Sequence, residues 1–155
     1  MPTLAPRTLL ALSAAALTLA ALPAQASAHG SPHPVINGPE KLGAVTPSQF
    51  RFGLPGVTLE CPPPEGSKSC RVTITVRSER RMRFRAGQAK KKHVLGTLSY
   101  SVAANREGAK PPPVKLNTVG RRLLARMGSL KAVARFDVFQ HETILRDFKL
   151  TLNQG

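Results

Sequence analysis

The stretch from Cys61 to Val76, CPPPEGSKSCRVTITV, sets a proline-rich loop between the chain's two cysteines and runs it into strict two-residue alternation. Val72, Ile74 and Val76 fall on one side of an extended chain, with Arg71, Thr73, Thr75 and Arg77 on the other, which is the pattern of a half-buried strand. Upstream, Val57, Leu59 and Cys61 alternate in the same way. The spacing predicts two antiparallel strands clipped at their loop. Two cysteines admit one intramolecular pairing, Cys61–Cys70, and a hairpin would bring them within disulfide reach.

The same period recurs along the chain. Phe50, Phe52 and Leu54 share a face before a Pro55-Gly56 turn; Leu98, Tyr100 and Val102 form a second set. Leu130, Ala132, Ala134, Phe136 and Val138 make a third, and Phe148, Leu150 and Leu152 a fourth. One segment departs from it. Thr118 is placed to cap a short helix over residues 119–127, with Leu123, Leu124 and Met127 at helical spacing and Gly128 to end it. About seven or eight short strands with one short helix predict an all-β domain over residues 48–155, an antiparallel β-sandwich. Residues 29–47, rich in Pro and Gly, read as a flexible lead-in.

Residues 1–28 have the layout of a secretory signal peptide: Arg7, an apolar core from Leu9 to Leu22, Pro23, then small residues ending at Ala26-Ser27-Ala28. An apolar core of this length is too short to span a bilayer comfortably, so no transmembrane anchor is expected. The expected location is extracellular or at the cell envelope, an oxidising setting that suits a disulfide.

Charge narrows the class of partner. Lys and Arg number 23 against 8 Asp and Glu, a net charge of +15. Cleavage after Ala28 would remove Arg7 and leave +14. The densest field lies in residues 77–92, where Arg77, Arg80, Arg81, Arg83, Arg85, Lys90, Lys91 and Lys92 face one acid, Glu79. Met82 and Phe84 alternate with the arginines, which predicts an amphipathic strand turning at Ala86-Gly87-Gln88. Such a run either contacts an anionic cell-wall or extracellular polymer or serves as a charged edge that resists aggregation. Trp is absent and Tyr occurs once, so a stacking platform for nucleic acid is not expected.

Three segments, CPPPEGSKSCRVTITV, VLGTLSYSV and GRRLLARMGSLKAVARFDV, together resemble the small immunoglobulin-like β-sandwich modules of exported actinobacterial proteins, over residues 49–152. The resemblance implies a spacer or binding unit of a secreted or surface protein, with no catalytic signature. The basic run at 77–92, and Phe139 to Thr143 in place of a Gly-rich turn, depart from that pattern.

The eight acids form no catalytic motif and no cofactor is implied; His141 and Glu142, adjacent in sequence, read as a loop pair. A second reading comes from His29 and His33. Cleavage after Ala28 would leave His29 with a free α-amine, and the two histidines together offer nitrogen ligands for Cu(II).

Overall fold

A computed structural model describes residues 33–63 and 69–155. The leader at 1–28, His29 and the loop tip at 64–68 lie outside the described residues. In chain order the elements are β1 (Val35–Asn37), β2 (Lys41–Val45), β3 (Arg51–Phe52), β4 (Thr58–Cys61), β5 (Ser69–Ser78), β6 (Val94–Ala103), β7 (Arg106–Ala109), β8 (Val114–Lys115), α1 (Thr118–Met127), β9 (Ser129–Phe139) and β10 (Thr143–Asn153). The protein is mostly β, with several sheets and one short helix. Its ten described strands exceed the seven or eight read from alternation, since β1 and β2 fall in the segment read as a lead-in and β7 shows no two-residue period.

The largest sheet runs β2-β10-β9-β5-β6; a three-stranded sheet runs β1-β4-β7, and β3 pairs with β8. The long strands follow their sequence pattern. Val72, Ile74 and Val76 on β5, Ala134, Phe136 and Val138 on β9, and Phe148 and Leu152 on β10 have no exposed surface. They join Leu59, Val114, Leu116 and Leu123 from the other elements in one buried cluster. At its centre Phe136 and Phe148 meet edge to face, with ring centroids 5.3 Å apart. On the opposite face of the large sheet, Arg71, Arg77, Lys131, Arg135 and Lys149 are exposed.

Cys61 and Cys70 are bonded, but not across a hairpin. β4 pairs with β1 and β7, whereas β5 pairs with β6 and β9, so the disulfide ties one sheet to another. The expected disulfide is present, but alternation gives the buried side of each strand without naming its neighbour, so the expected pairing of β4 with β5 does not form. The supposed lead-in also contributes structure. Ile36 and Leu42 are buried, β1 pairs antiparallel with β4, and β2 pairs in parallel with β10. A parallel partner more than a hundred residues away leaves no local signal.

The Pro55-Gly56 turn forms as expected, with Val57 N donating to Leu54 O and Gly56 at φ +75°. Phe50 does not join Phe52 and Leu54 in the core. Ser48 and Arg51 exchange both backbone hydrogen bonds at 2.8 Å, and the two residues between them, Gln49 and Phe50, have φ of 50° and 62°. This is the two-residue hairpin turn that normally takes Asn-Gly. A side chain in that conformation costs about 1–2 kcal/mol per residue, and the turn leaves Phe50 53% exposed.

Asn117, rather than Thr118, caps α1: its Oδ1 accepts from Gly120 N at 2.8 Å. Asn117 also fastens the helix to β6, donating from Nδ2 to Val94 O and from its backbone N to Leu95 O. Leu123 and Leu124 are buried as expected, while Met127, in the last position of the helix, is 48% exposed. β6 is approached closely at two glycines, by α1 at Gly120 and by β8 at Gly96. A Cβ on Gly120 would stand 2.5 Å from Leu95 O, and one on Gly96 would stand 2.5 Å from Lys115 O.

Candidate functional site

The basic run links β5 to β6, and its shape is set from inside. Ser78 and His93, both buried, close its base: Ser78 N donates to His93 O, and His93 N donates to Ser78 Oγ, each at 2.9 Å. His93 Nε2 donates to Met82 O at 2.9 Å, and its ring lies 6.0 Å from that of Phe84. Met82 and Phe84 pack half-buried against the core, so the residues between them face outward. Ser78 and His93 carried no signal in the sequence, since a buried polar pair is defined by partners that only the fold brings together.

Residues 79–92 are a loop rather than the amphipathic strand expected of them. Their ladder is limited to an isolated bridge, in which Met82 and Lys91 exchange backbone hydrogen bonds. The turn at 86–88 does form, with Gln88 N donating to Arg85 O and Gly87 at φ +79°. The inward placement of Met82 and Phe84 agrees with the alternation. The charges go where it put them: Arg80, Arg81, Arg83, Arg85, Lys90, Lys91 and Lys92 are exposed around the loop, and Arg77 is exposed on β5.

α1 extends this surface. Arg121, Arg122 and Arg126 are exposed along the helix, which contains no acid. Arg126 reaches the loop, donating from Nη1 to Phe84 O at 3.2 Å and from Nη2 to Arg83 O at 3.0 Å. Two carbonyls held by one guanidinium join loop and helix into a single basic surface. The basic run read from the sequence ends at Lys92 and leaves these helix arginines out; the available signal was their spacing, with Arg122 and Arg126 four residues apart on one face.

The ion pairs found among the described residues all lie elsewhere: His33 with Glu142, Arg135 with Asp147, and Lys149 with Glu40. Glu79 is half-buried and donates its backbone N–H to Lys131 O. No cation of the run is in an ion pair among the described residues, although Lys92 stands near enough to Asp147 for its field to be felt there, and the charges of the run add into one field.

Asp147, on the outer face of the large sheet, accepts Arg135 Nε at 2.8 Å and Nη2 at 2.9 Å. The bond from Arg135 is the main cause of a lowered Asp147 pKa, and the field of Lys92 adds to it. A depressed folded-state pKa gives stability that is present above the ordinary carboxylate range and is lost as pH falls through the folded value. Both side chains are about half exposed, so solvent screening keeps the pair within about 1 kcal/mol. Asp147→Asn should lower stability by no more than that at pH 7, with the difference from the parent vanishing by about pH 2. Urea titrations at the two pH values test this, and a difference that persists in acid would contradict it.

Of the two histidines considered for copper, His33 is exposed, with Nδ1 2.8 Å from Glu142 Oε1; His29 lies outside the described residues. His141 and Glu142 sit in the β9–β10 loop, both exposed. Among the described residues no three His, Cys, Asp or Glu side chains come together as a metal site, and no helix is long and apolar enough to cross a membrane. In comparisons with known proteins, the chain matches no family model, no curated protein and no solved structure.

Proposed function

We propose that this is an exported, non-catalytic immunoglobulin-like module that binds anionic polymers of the cell envelope through the loop at 80–92 and the arginine face of α1. The observation that carries the reading is the pair of hydrogen bonds from Arg126 to the carbonyls of Arg83 and Phe84. They hold two clusters of like charge side by side, an arrangement that costs energy in the free protein and is offset when a polyanion lies across it. Export is supported by the signal-like leader and by a disulfide that needs an oxidising compartment.

The strand order supports an immunoglobulin-like sandwich. β6-β5-β9-β10 runs in the sequence of the C′-C-F-G strands of a variable-type domain, and β1-β4-β7 takes the place of the opposite sheet. The disulfide departs from that pattern, joining β4 to the neighbouring β5 rather than to β9.

Retention of the cleaved, oxidised chain on isolated envelope polymer over rising salt tests the function. Arg81→Ser, Arg83→Ser and Arg85→Ser together should reduce the slope of log affinity against log salt by about 2. The far-UV spectrum and unfolding midpoint should be retained, since all three side chains are exposed. Absence of retention even at low salt would overturn the proposal.

A further inference from the structure

The turn at Ser48 to Arg51 places an aromatic ring where burial gives it no reason to be. Gln49 and Phe50 both have left-handed backbones, in a turn where Asn-Gly would form without strain. Phe50 is then 53% exposed, so apolar burial offsets little of that strain. Its backbone is fixed from outside the turn by Leu116 N, which donates to Phe50 O at 2.8 Å. The ring lies beneath Arg121, whose guanidinium carbon is 4.9 Å from the ring centroid. Arg121 Nη2 also donates to Thr118 Oγ1 at 3.3 Å. Beside the ring is a groove of about 370 Å³ lined by Phe50, Thr118, Arg121, Arg122 and Ala125.

We infer that Phe50 and Arg121 form a subsite for one sugar ring of an acidic polysaccharide, a hexuronate unit. This deepens the polymer-binding reading above and rests on it. A pyranose has a C–H face that can lie against an aromatic ring and a rim of hydroxyls and carboxylate. The groove offers the matching parts: the part of the Phe50 ring left exposed beside Arg121 as platform, Thr118 Oγ1 as a hydroxyl partner, and the guanidinium groups of Arg121 and Arg122 for the carboxylate. α1 continues from the groove to Arg126, and through it to the carbonyls at 83 and 84, so a chain of such units would pass from the ring onto the basic loop. A polyphosphate has no ring and gains nothing from Phe50. Single-stranded nucleic acid is held by successive bases on several aromatic groups, and one exposed ring beside an arginine ridge is a poor match for that.

Binding of an oligogalacturonate, a polyphosphate of matched charge and an oligothymidylate to the cleaved, oxidised chain, by calorimetry, decides the matter. Phe50→Gly should weaken the oligogalacturonate about tenfold and leave polyphosphate affinity unchanged. It should also raise the unfolding midpoint, because glycine suits both the turn and the sign of φ. Arg81→Ser, Arg83→Ser and Arg85→Ser together should weaken both polyanions. Unchanged oligogalacturonate affinity in Phe50→Gly, or an equal loss for both polyanions, would make Phe50 a structural residue and overturn the subsite. So would wild-type protein that binds polyphosphate alone, while leaving the basic surface in place. Binding of the oligothymidylate that depends on Phe50, where the oligogalacturonate does not, would replace the sugar by a base. Failure of both polyanions to bind would overturn the subsite together with the function it rests on.

Discussion

Gly120→Ala should lower the unfolding midpoint by about 6–10 °C, although alanine is the better helix former. Propensity alone would stabilise α1 by about 1 kcal/mol. Against that, the new Cβ would stand 2.5 Å from Leu95 O and 3.2 Å from Leu116 Cδ2. The carbonyl cannot withdraw cheaply: Leu95 is fully buried, and its oxygen already accepts from Asn117 N at 2.8 Å. Overpacking against fixed atoms costs about 1–3 kcal/mol, and a clash with backbone belongs at the upper end. The net loss is then about 2 kcal/mol. Thermal unfolding followed by circular dichroism measures it, with Arg122→Ala as an exposed control expected to change little. A midpoint that stays or rises would mean that the helix does not rest on β6 at this distance. The variant should also weaken polymer binding, because a displaced helix takes Arg126 away from the carbonyls of the loop.

That seam shows where the sequence stopped being informative. The inward faces of β5, β9 and β10 were readable because a two-residue period survives over ten or eleven residues and depends only on which side is buried. Partners were not readable, since period says nothing about register or neighbour. Hence a hairpin was expected between β4 and β5, which belong to different sheets, and no strand was expected at β2, whose partner is β10. Gly120 reads locally as a poor helix residue; its role exists only because Leu95 lies beneath it, so no local rule could supply it.

 The candidate site divides in the same way. The charge of residues 77–92 is visible in composition, and the inward turn of Met82 and Phe84 follows from alternation. What gathers those charges is tertiary: the buried Ser78 and His93 at the base of the loop, and Arg126 reaching it from 42 and 43 residues away. Phe50 shows the limit most clearly, because three aromatic or aliphatic residues at two-residue spacing predict one face, whereas a tight turn reverses the chain between Ser48 and Arg51.

Removing the disulfide should separate stability from binding. Cys61 and Cys70 are nine residues apart, and a cross-link closing so short a loop stabilises a fold by about 2–3 kcal/mol, chiefly by restricting the unfolded chain. Cys61→Ala with Cys70→Ala should therefore lower the unfolding free energy from urea titration by that much, and the midpoint with it. Because the unlinked chain exposes more surface when unfolded, the slope with denaturant should rise as well. Each sheet keeps its own backbone ladder, and β5 remains paired along its length with β6 and β9. Cys70 stands at the start of β5, whereas the basic loop leaves from its end at Ser78 and is held there by His93 and Met82. At a temperature where the variant is still folded, its affinity for anionic polymer and its salt dependence should match those of the parent. Unchanged stability would show that the link restrains the unfolded chain very little. A folded variant that no longer binds would mean that the tie between the sheets sets the shape of the loop, and the anchoring assigned to Ser78, His93 and Arg126 would be insufficient.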